Sequence, residues 1–334
     1  METKFSPEKM KQYGVKESEL RLATEEEKQS ADRMRPSVSY WKDAIRRFWR
    51  NKLGVMMLVL LIAIILAAIL IPELSPYSYK AQSKDLRQGP SWSHPFGTDK
   101  LGRDILVRVM WGTRISLIIG FVTMILVCII GITYGGISAY AGGWTDNIMM
   151  RVVDFMMSVP SMLIIILLSV VLRDPMKDLL SDPRFAGLAS IGAGLLSMFL
   201  VLGLFNWLGM ARTVRGALMT NRTAEFVLSA EAMGGKRGWV LKKHLLPNAI
   251  GVIIISATGV VPGAIMTESF LSFIGLGVSA PMPSLGYMAS DALNGMQSNP
   301  LNLVWPTAMI CLITLSFNIV GDALRDALDP RMRK

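Results

Sequence analysis

The feature that most constrains this chain is a series of long stretches without any charged side chain. The first of them, Leu53–Ile71, is long enough to cross a lipid bilayer as a helix. Lipid offers no hydrogen-bond partners to backbone N–H and C=O groups, so a spanning segment must satisfy them internally as a helix. The sequence therefore predicts an all-α integral membrane protein.

About six such stretches are predicted to span the membrane. They are Leu53–Ile71, a span within Ile115–Gly143, Phe155–Leu172, a span within Phe185–Ala211, Leu245–Thr267 and about Leu303–Gly321. A seventh uncharged stretch, Ser269–Ser290, contains Pro281, Pro283 and several glycines. We interpret it as a loop or re-entrant turn, because irregular backbone is not tolerated in lipid.

The basic residues predict the orientation of these spans. The net charge is +10, and with a cytoplasmic N-terminus most of the 35 Lys and Arg residues fall on the inner side. The positive-inside rule therefore places both termini in the cytoplasm. Because the basic residues lie between apolar runs, the charge indicates cytoplasmic loops rather than a nucleic-acid partner.

These spans divide the chain into five predicted regions. They are a poorly ordered cytosolic tail at 1–38, an interfacial amphipathic helix plus the first transmembrane helix at 39–71, an extracytoplasmic loop at 72–114, a core transmembrane domain at 115–325 that contains a cytoplasmic loop at 209–247, and a second cytosolic tail at 326–334.

The chain shows no pattern of residues for catalysis, for a metal or for a cofactor. Its two histidines, His94 and His244, are predicted on opposite sides of the membrane and so cannot share a zinc ion. The run Gly234–Arg237 lacks the upstream glycine and the hydroxyl of a P-loop. An enzyme is therefore not predicted.

Charged residues within the spans are few. Arg151 and Asp154 are three positions apart and are predicted to form a local ion pair, and Glu268 is predicted to be solvated at the outer membrane interface. An ion-coupled secondary transporter would more often bury a carboxylate at mid-depth. That alternative stays open, as does a membrane-anchored scaffold that transports nothing.

The inner loop at Thr223–Pro247 has a helical pattern of its own. Phe226, Ala230 and Met233 are predicted to share one face, with Val227 beside it. Glu225 suits the start of a helix, Gly234 and Gly235 its end, and Trp239–Leu246 a second short helix. Such an element suits a groove on another protein, although an ordinary interfacial helix would have the same pattern.

This loop resembles the coupling loop of ABC importer membrane subunits. Their pattern is Glu-Ala-Ala, three residues, Gly, nine residues and Ile-x-Leu-Pro; here the triplet is Leu228–Ser229–Ala230, followed by Gly234 and His244–Pro247. Leu228, Ser229 and His244 depart from it, and Glu225 or Glu231 is the candidate acidic residue. In the family this helix sits in a cleft of the ATPase subunit and transmits its closure. The implied coupling residues are Glu225, Ala230, Glu231, Ala232, Gly234, Leu246 and Pro247.

Further motifs resemble the C-type subunit of the dipeptide/oligopeptide/nickel permease group. They are His94–Asp99, Gly102–Asp104, Gly112–Leu117, Phe270–Gly277 with the Pro-rich stretch to Gly286, and Asp291–Ala292. The resemblance covers roughly residues 38–330. The outer-face motif is Gly97, Thr98, Asp99, Gly102, Arg103 and Asp104. In it, Asp99, Arg103, Asp104 and Arg108 are predicted to form an ion-pair network, with Gly97 and Gly102 as turn points.

The resemblance implies a transmembrane permease subunit in the type I ABC importer arrangement, located in the cell membrane of a bacterial-type host. It would translocate oligopeptides or dipeptides. The implied partners are a B-type permease subunit that completes a heterodimer, two cytosolic ABC ATPase subunits that bind ATP and Mg, and an extracytoplasmic peptide-binding protein. A nickel or metal-complex importer is the alternative within the group.

Overall fold

The computed structural model describes residues 40–185, 192–278, 282–293, 295–297 and 299–328, and these residues contain helices and no β-strand. The helices are α1 (Tyr40–Arg50), α2 (Lys52–Leu74), α3 (Ile105–Ala141), α4 (Gly143–Ser158), α5 (Ser161–Val171), α6 (Arg173–Ser181), α7 (Ala193–Asn221), α8 (Glu225–Ala232), α9 (Arg237–Val240), α10 (Leu246–Phe273), α11 (Leu285–Leu293) and α12 (Leu301–Leu328). The predicted tail at 1–38 and Pro281 lie outside the described residues.

The chain divides into two compact units, Met1–Ile45 and Arg46–Lys334. Helix α1 crosses the division, in the region where the sequence predicts an amphipathic helix. Its placement in the membrane interface stays a prediction. All later helices belong to the second unit.

Within the part of the chain that the structure describes, five helices are long and apolar enough to cross a membrane, namely α2, α3, α7, the continuous run Arg237–Phe273 that contains α10, and α12. The pair formed by Gly143–Ser158 and Ser161–Ser181 passes the same test but is bent by 83°, as in a broken span or a re-entrant loop. The predicted continuous helix at Phe155–Leu172 is therefore wrong. The break falls at Val159, whose ψ of 135° is extended because the following Pro160 disfavours helical backbone.

Several helices extend beyond the uncharged stretches that predicted them. Helix α3 begins at Ile105, so 105–114 are helical although the sequence assigned them to the outer loop. Helix α7 continues to Asn221, which shortens the inner loop predicted from residue 209. Helix α12 continues to Leu328, beyond the predicted start of the tail at 326. The first charged residue therefore indicates where a segment leaves the lipid, and it does not indicate where the helix ends.

Helix α3 lies at the centre of the second unit, in contact with α2, α7, α10 and α12. Its closest neighbour is α7, and two glycines make this approach possible. A Cβ atom on Gly131 would lie 2.6 Å from Met210 Cβ, and one on Gly135 would lie 2.4 Å from the Ala211 carbonyl oxygen. Any larger side chain at either position would force the two helices apart.

Apolar side chains fill the space around α3. One cluster includes Val109, Ile265 and Ile313, which join α3, α10 and α12. By contrast, α2 exposes a row of apolar side chains that no described residue covers: Met56, Val59, Ile62, Leu66 and Ile69. In a helix of this length such a face is suited to contact lipid.

Candidate functional site

The candidate site residues lie at the two ends of α3. The outer-face motif directly precedes the start of α3, and the loop between α7 and α10 lies beside its end. There, the position of a Cβ on Gly238 is 3.8 Å from the Tyr140 ring. One helix thus joins the two groups of predicted residues.

Helix α8 in the inner loop packs on a small apolar cluster. Val227 and Ala230 are buried against Val240, with Leu245 packed beside them. Glu225 occupies the first turn, where a carboxylate interacts favourably with the helix dipole. The predicted face is only partly correct, because Ala230 is buried while Phe226 is 41% and Met233 83% exposed.

The turn after α8 is tightly specified. Gly234 has the positive φ of 83° that the sequence predicts, and its N–H donates to the Glu231 carbonyl at 2.9 Å. Gly235 has no positive φ; its N–H donates to the Ala230 carbonyl at 3.0 Å, and a Cβ there would lie 2.6 Å from that oxygen. The backbone therefore fixes how α8 is presented.

The loop presents an apolar surface away from that cluster. Phe226, Leu228, Met233 and Trp239 are each between 41% and 83% exposed. Glu231 and Ala232 are exposed beside them. We call the four apolar residues the coupling patch. Exposed apolar side chains held on an ordered, basic loop are typical of a surface that binds another protein.

The predicted second short helix at Trp239–Leu246 does not exist as a separate element. Helix α9 passes into a π-helical turn at Leu241–Leu245, which continues directly into α10. Leu246 is the first residue of α10, and the exposed Pro247 is accommodated within its first turn. The Leu246 N–H donates to the Leu241 carbonyl, so Pro247 lies within a continuous helical run, directly after the π-helical turn. A proline there has no N–H to donate to the preceding turn, and a π-helical turn is one local adjustment by which a helix accommodates such a position.

The outer-face motif forms a compact loop. Gly97 and Gly102 have φ values of 81° and 71°, so both are turn points as predicted. Thr98 is fully buried, and its hydroxyl accepts from the Gln88 N–H at 2.9 Å and donates to the Asp85 carbonyl. These bonds tie the two halves of the loop together.

Charged residues of this motif form a network with α11. Asp99 accepts from Arg103 Nε at 2.6 Å and lies 3.6 Å from the Nε of the buried Arg108. Asp291 on α11 accepts from Lys100 Nζ at 2.6 Å. The predicted pairing of Asp99 with Arg103 and Arg108 is present. The link from this network to Asp291 on α11 was not predicted from the sequence.

Asp104 does not take part in that network, contrary to the prediction. Its carboxylate caps α3 by accepting from the Val107 N–H at 2.8 Å, and it lies 2.8 Å from His94 Nδ1. Both side chains are buried. Asp104 therefore determines where α3 starts.

Two ion pairs join α4 to α7, and the sequence predicted neither. Asp146 accepts from Arg215 Nε at 2.6 Å and Nη2 at 2.5 Å, and also from the Ser138 hydroxyl at 2.5 Å. Asp154 pairs with Arg212 and not with Arg151, so the predicted local pair is wrong. Asp146 is flanked by the polar Thr145 and Asn147, and Asp154 is three positions from Arg151, so nothing in the local sequence pointed to a partner on α7.

Glu268 is fully buried, which corrects the prediction that it is solvated at the interface. Its carboxylate accepts from the hydroxyls of Ser116 at 2.8 Å and Ser272 at 2.7 Å. The Ser272 hydroxyl in turn accepts from the Val278 N–H at 3.1 Å. Glu268 therefore ties α3, α10 and the segment after α10 together, and the nearby serines in its own sequence were the available signal.

Comparison with known proteins identifies the family. The family described as binding-protein-dependent transport system inner membrane component matches residues 129–334, and the N-terminal TM domain of oligopeptide transport permease C matches residues 39–90. The chain belongs to the binding-protein-dependent permease family. It is therefore a multi-pass protein of the cell membrane and a transport subunit, not an enzyme, as predicted.

Full-length relatives of this permease are peptide transport proteins by name. The oligopeptide transport system permease protein OppC of Bacillus subtilis is 44% identical, over 89% of this chain and 92% of that protein. The dipeptide transport system permease protein DppC of the same organism is 40% identical, over 94% of this chain and 93% of the relative. These names do not favour the nickel alternative.

A solved structure supports the predicted fold. An inward-facing structure of the MetNI methionine ABC transporter contains a chain that matches with a TM-score of 0.52 and 18% identity, over 67% of this permease and 96% of that chain. Together with the five to six candidate spans, this confirms the all-α type I ABC importer fold. The orientation of the termini stays a prediction.

Proposed function

We propose that this permease translocates peptides, either oligopeptides or dipeptides, as one subunit of an ATP-driven importer. The observation that supports the proposal is the 44% identity of this chain to an oligopeptide permease, over 92% of the length of that relative. A B-type permease subunit completes the membrane domain, and an extracytoplasmic peptide-binding protein delivers the substrate. Two cytosolic ATPase subunits bind ATP and Mg and supply the energy.

The coupling patch is where an ATPase subunit docks in this proposal. Burial of four large apolar side chains supplies association energy, since each contributes about 1.5–3 kcal/mol when it is fully removed from water. The tight turn at Gly234 and Gly235 supports this role because it holds the patch in one orientation. Glu225 and Glu231 are both exposed, so either is available to the partner.

The test combines purification with uptake. Tagged permease is isolated in mild detergent with its co-expressed partners, and bound subunits are identified by mass spectrometry. Vanadate-sensitive ATP hydrolysis and uptake of a labelled peptide are then measured. We expect a second permease, P-loop ATPases and peptide uptake; isolation of the chain alone, with no hydrolysis and no uptake, would reject the proposal.

A variant pair tests the docking surface separately. Leu228→Asp with Met233→Asp changes two exposed side chains, so the fold is expected to persist while the ATPase subunits are lost. Trp92→Asp in the outer loop is the control, because it places the same aspartate at a fully exposed apolar residue, whereas Leu228 and Met233 are 54% and 83% exposed. Normal ATPase recovery and uptake with the first variant would exclude the coupling patch as the docking surface.

A further inference from the structure

A groove between α7 and α10 is separate from the sites described above. It has a cavity volume of about 370 Å³. Four uncharged polar residues line it, Asn206, Thr213, Ser256 and Thr267, together with Gly209, Gly259 and Gly263. Of the described residues that line the groove, none is charged.

The glycines of this groove pack against no other described residue at the positions where a Cβ atom would lie. A Cβ on Gly209, Gly259 or Gly263 would meet nothing within 4 Å, and all three positions are exposed. Beside Gly131 and Gly135 on α3, by contrast, α7 already occupies the space that a Cβ atom would need. The groove is thus open space along two spanning helices. Met210, Val260 and Ala264 complete its lining, and its four polar side chains gain nothing from lipid.

Three polar side chains of the groove use protons in bonds to backbone carbonyls of their own helices, and their oxygen atoms stay available as hydrogen-bond acceptors. The Thr213 hydroxyl donates to the Gly209 carbonyl at 3.0 Å, and the Thr267 hydroxyl donates to the Gly263 carbonyl at 2.9 Å. Each hydroxyl oxygen keeps lone pairs once its proton is used. The Asn206 amide likewise donates to the Leu202 carbonyl at 3.0 Å, which leaves its oxygen as an acceptor. A fitting ligand is neutral along its length and supplies N–H donors.

An extended polypeptide has that chemistry. Ser256 and Thr267 are eleven positions apart on α10, or about 16 Å along the helix axis. An extended peptide of about five residues covers this distance at about 3.3 Å per residue. Its backbone N–H groups are unpaired, whereas those of a transmembrane helix are already bonded internally and cannot use the acceptors.

We propose that this groove contacts the peptide in transit and binds its backbone N–H groups through the oxygens of Asn206, Thr213 and Thr267. The inference rests on the proposed function and adds the contact surface and the part of the substrate that it recognises. Because the contact is to the backbone and the groove is uncharged, it accepts peptides irrespective of their side-chain charge.

The first test removes the hydroxyls without changing side-chain shape. We expect Thr213→Val with Thr267→Val to lower uptake of a tripeptide about 5- to 150-fold, the range for the loss of two net hydrogen bonds. Thr133→Val is the matched control, because Thr133 is exposed on α3 and donates to the carbonyl four residues earlier in the same way. Its uptake should equal that of the wild type.

The second measurement separates the permease from the binding protein. N-methylation of the tripeptide backbone removes N–H donors, and the ratio of uptake between parent and methylated peptide is taken for wild type and for the double variant. Any preference of the binding protein for the parent peptide enters both ratios equally, so it cancels when the wild type is compared with the double variant. We expect a smaller ratio in the variant; equal ratios and unchanged uptake would overturn the proposal.

A bulky substitution distinguishes a peptide path from a subunit interface. Gly263→Trp fills open space, so we expect uptake to fall more than 10-fold while all subunits still co-purify. Loss of the second permease from the complex would overturn the proposal in favour of a helix-packing site. If the wild-type complex takes up no peptide, the proposed function fails and this inference with it; normal wild-type uptake with unaffected variants refutes only the groove.

Discussion

The two ion pairs between α4 and α7 provide a direct test of how burial determines electrostatic stability. The Asp146 side chain is 7% exposed and accepts two hydrogen bonds from Arg215, whereas the Asp154 side chain is 48% exposed opposite Arg212. Replacing Arg215 by Met leaves a buried carboxylate with only the Ser138 hydroxyl. Loss of one partner from a buried pair costs about 3–5 kcal/mol, and because the Arg215 side chain is itself 34% exposed we expect the lower end of that range, about 3 kcal/mol.

The matched variant is Arg212→Met. Its partner Asp154 remains hydrated when the arginine is removed, so the loss is expected to stay below about 1 kcal/mol. Both variants change the same residue type to the same replacement, on the same helix and one turn apart. The difference between them therefore isolates the burial of the acid.

Thermal unfolding of the purified chain in mild detergent measures both effects. An unfolding entropy of about 2.1 cal/mol/K per residue over 334 residues corresponds to about 1.4 °C per kcal/mol. Arg215→Met should therefore lower Tm by roughly 4 °C or more, and Arg212→Met by no more than about 1.5 °C. Adding Asp146→Asn to Arg215→Met should recover part of the loss, because the uncompensated charge is gone. Equal shifts for the two arginine variants, or no recovery, would refute the reasoning.

Three further predictions follow from single contacts. Gly235→Val places a Cβ against the Ala230 carbonyl and should displace α8, which is read out as loss of co-purified ATPase without loss of the permease from the membrane. Asp104→Ala removes the cap of α3 and should destabilise the chain by about 1–2 kcal/mol in the same thermal assay. Glu268→Ala leaves buried serine hydroxyls without their acceptor and should destabilise by at least about 2 kcal/mol.

Conservative replacements provide the controls for these three. Gly216→Ala, outside the groove, adds a methyl group in open space and should leave ATPase recovery unchanged. Asp104→Asn keeps an acceptor for the cap and should lose less than Asp104→Ala. Glu268→Gln keeps side-chain volume and one carbonyl oxygen, so it should fall between the wild type and Glu268→Ala. If Glu268→Gln destabilises the chain as much as Glu268→Ala does, then the charge of Glu268, and not its hydrogen bonding, stabilises the fold at this position.

Five of the six predicted spans fall on long apolar helices, because the exclusion of charges from lipid and the length needed to cross it mark them in the sequence, whereas Phe155–Leu172 is broken at Val159. Because charged side chains are excluded from lipid, the span Leu53–Ile71 can be recognised from the sequence alone. The turn at Gly234 was predictable for a similar reason, since positive φ favours glycine locally. The helix ends were less predictable, because α3 and α12 extend past the lipid into regions where charge is tolerated.

The interactions between helices could not be predicted. Asp146 and Arg215 are far apart in sequence, and only the close approach of α4 and α7 brings them together. The burial of Glu268 depends on a serine from α3. Local spacing instead suggested a pair between Arg151 and Asp154, which the packing of α7 replaces with Arg212.

The length of α3 has a mechanical consequence. With 37 residues it is about 55 Å long, nearly twice the hydrocarbon thickness of a bilayer. It starts at the charged outer-face loop and ends beside the coupling patch, without a proline between them. A tilt of about 10° at one end would displace the other by roughly 10 Å, by the lever arm of that length. A small rotation of α3 as a rigid rod would therefore produce a large movement at its far end.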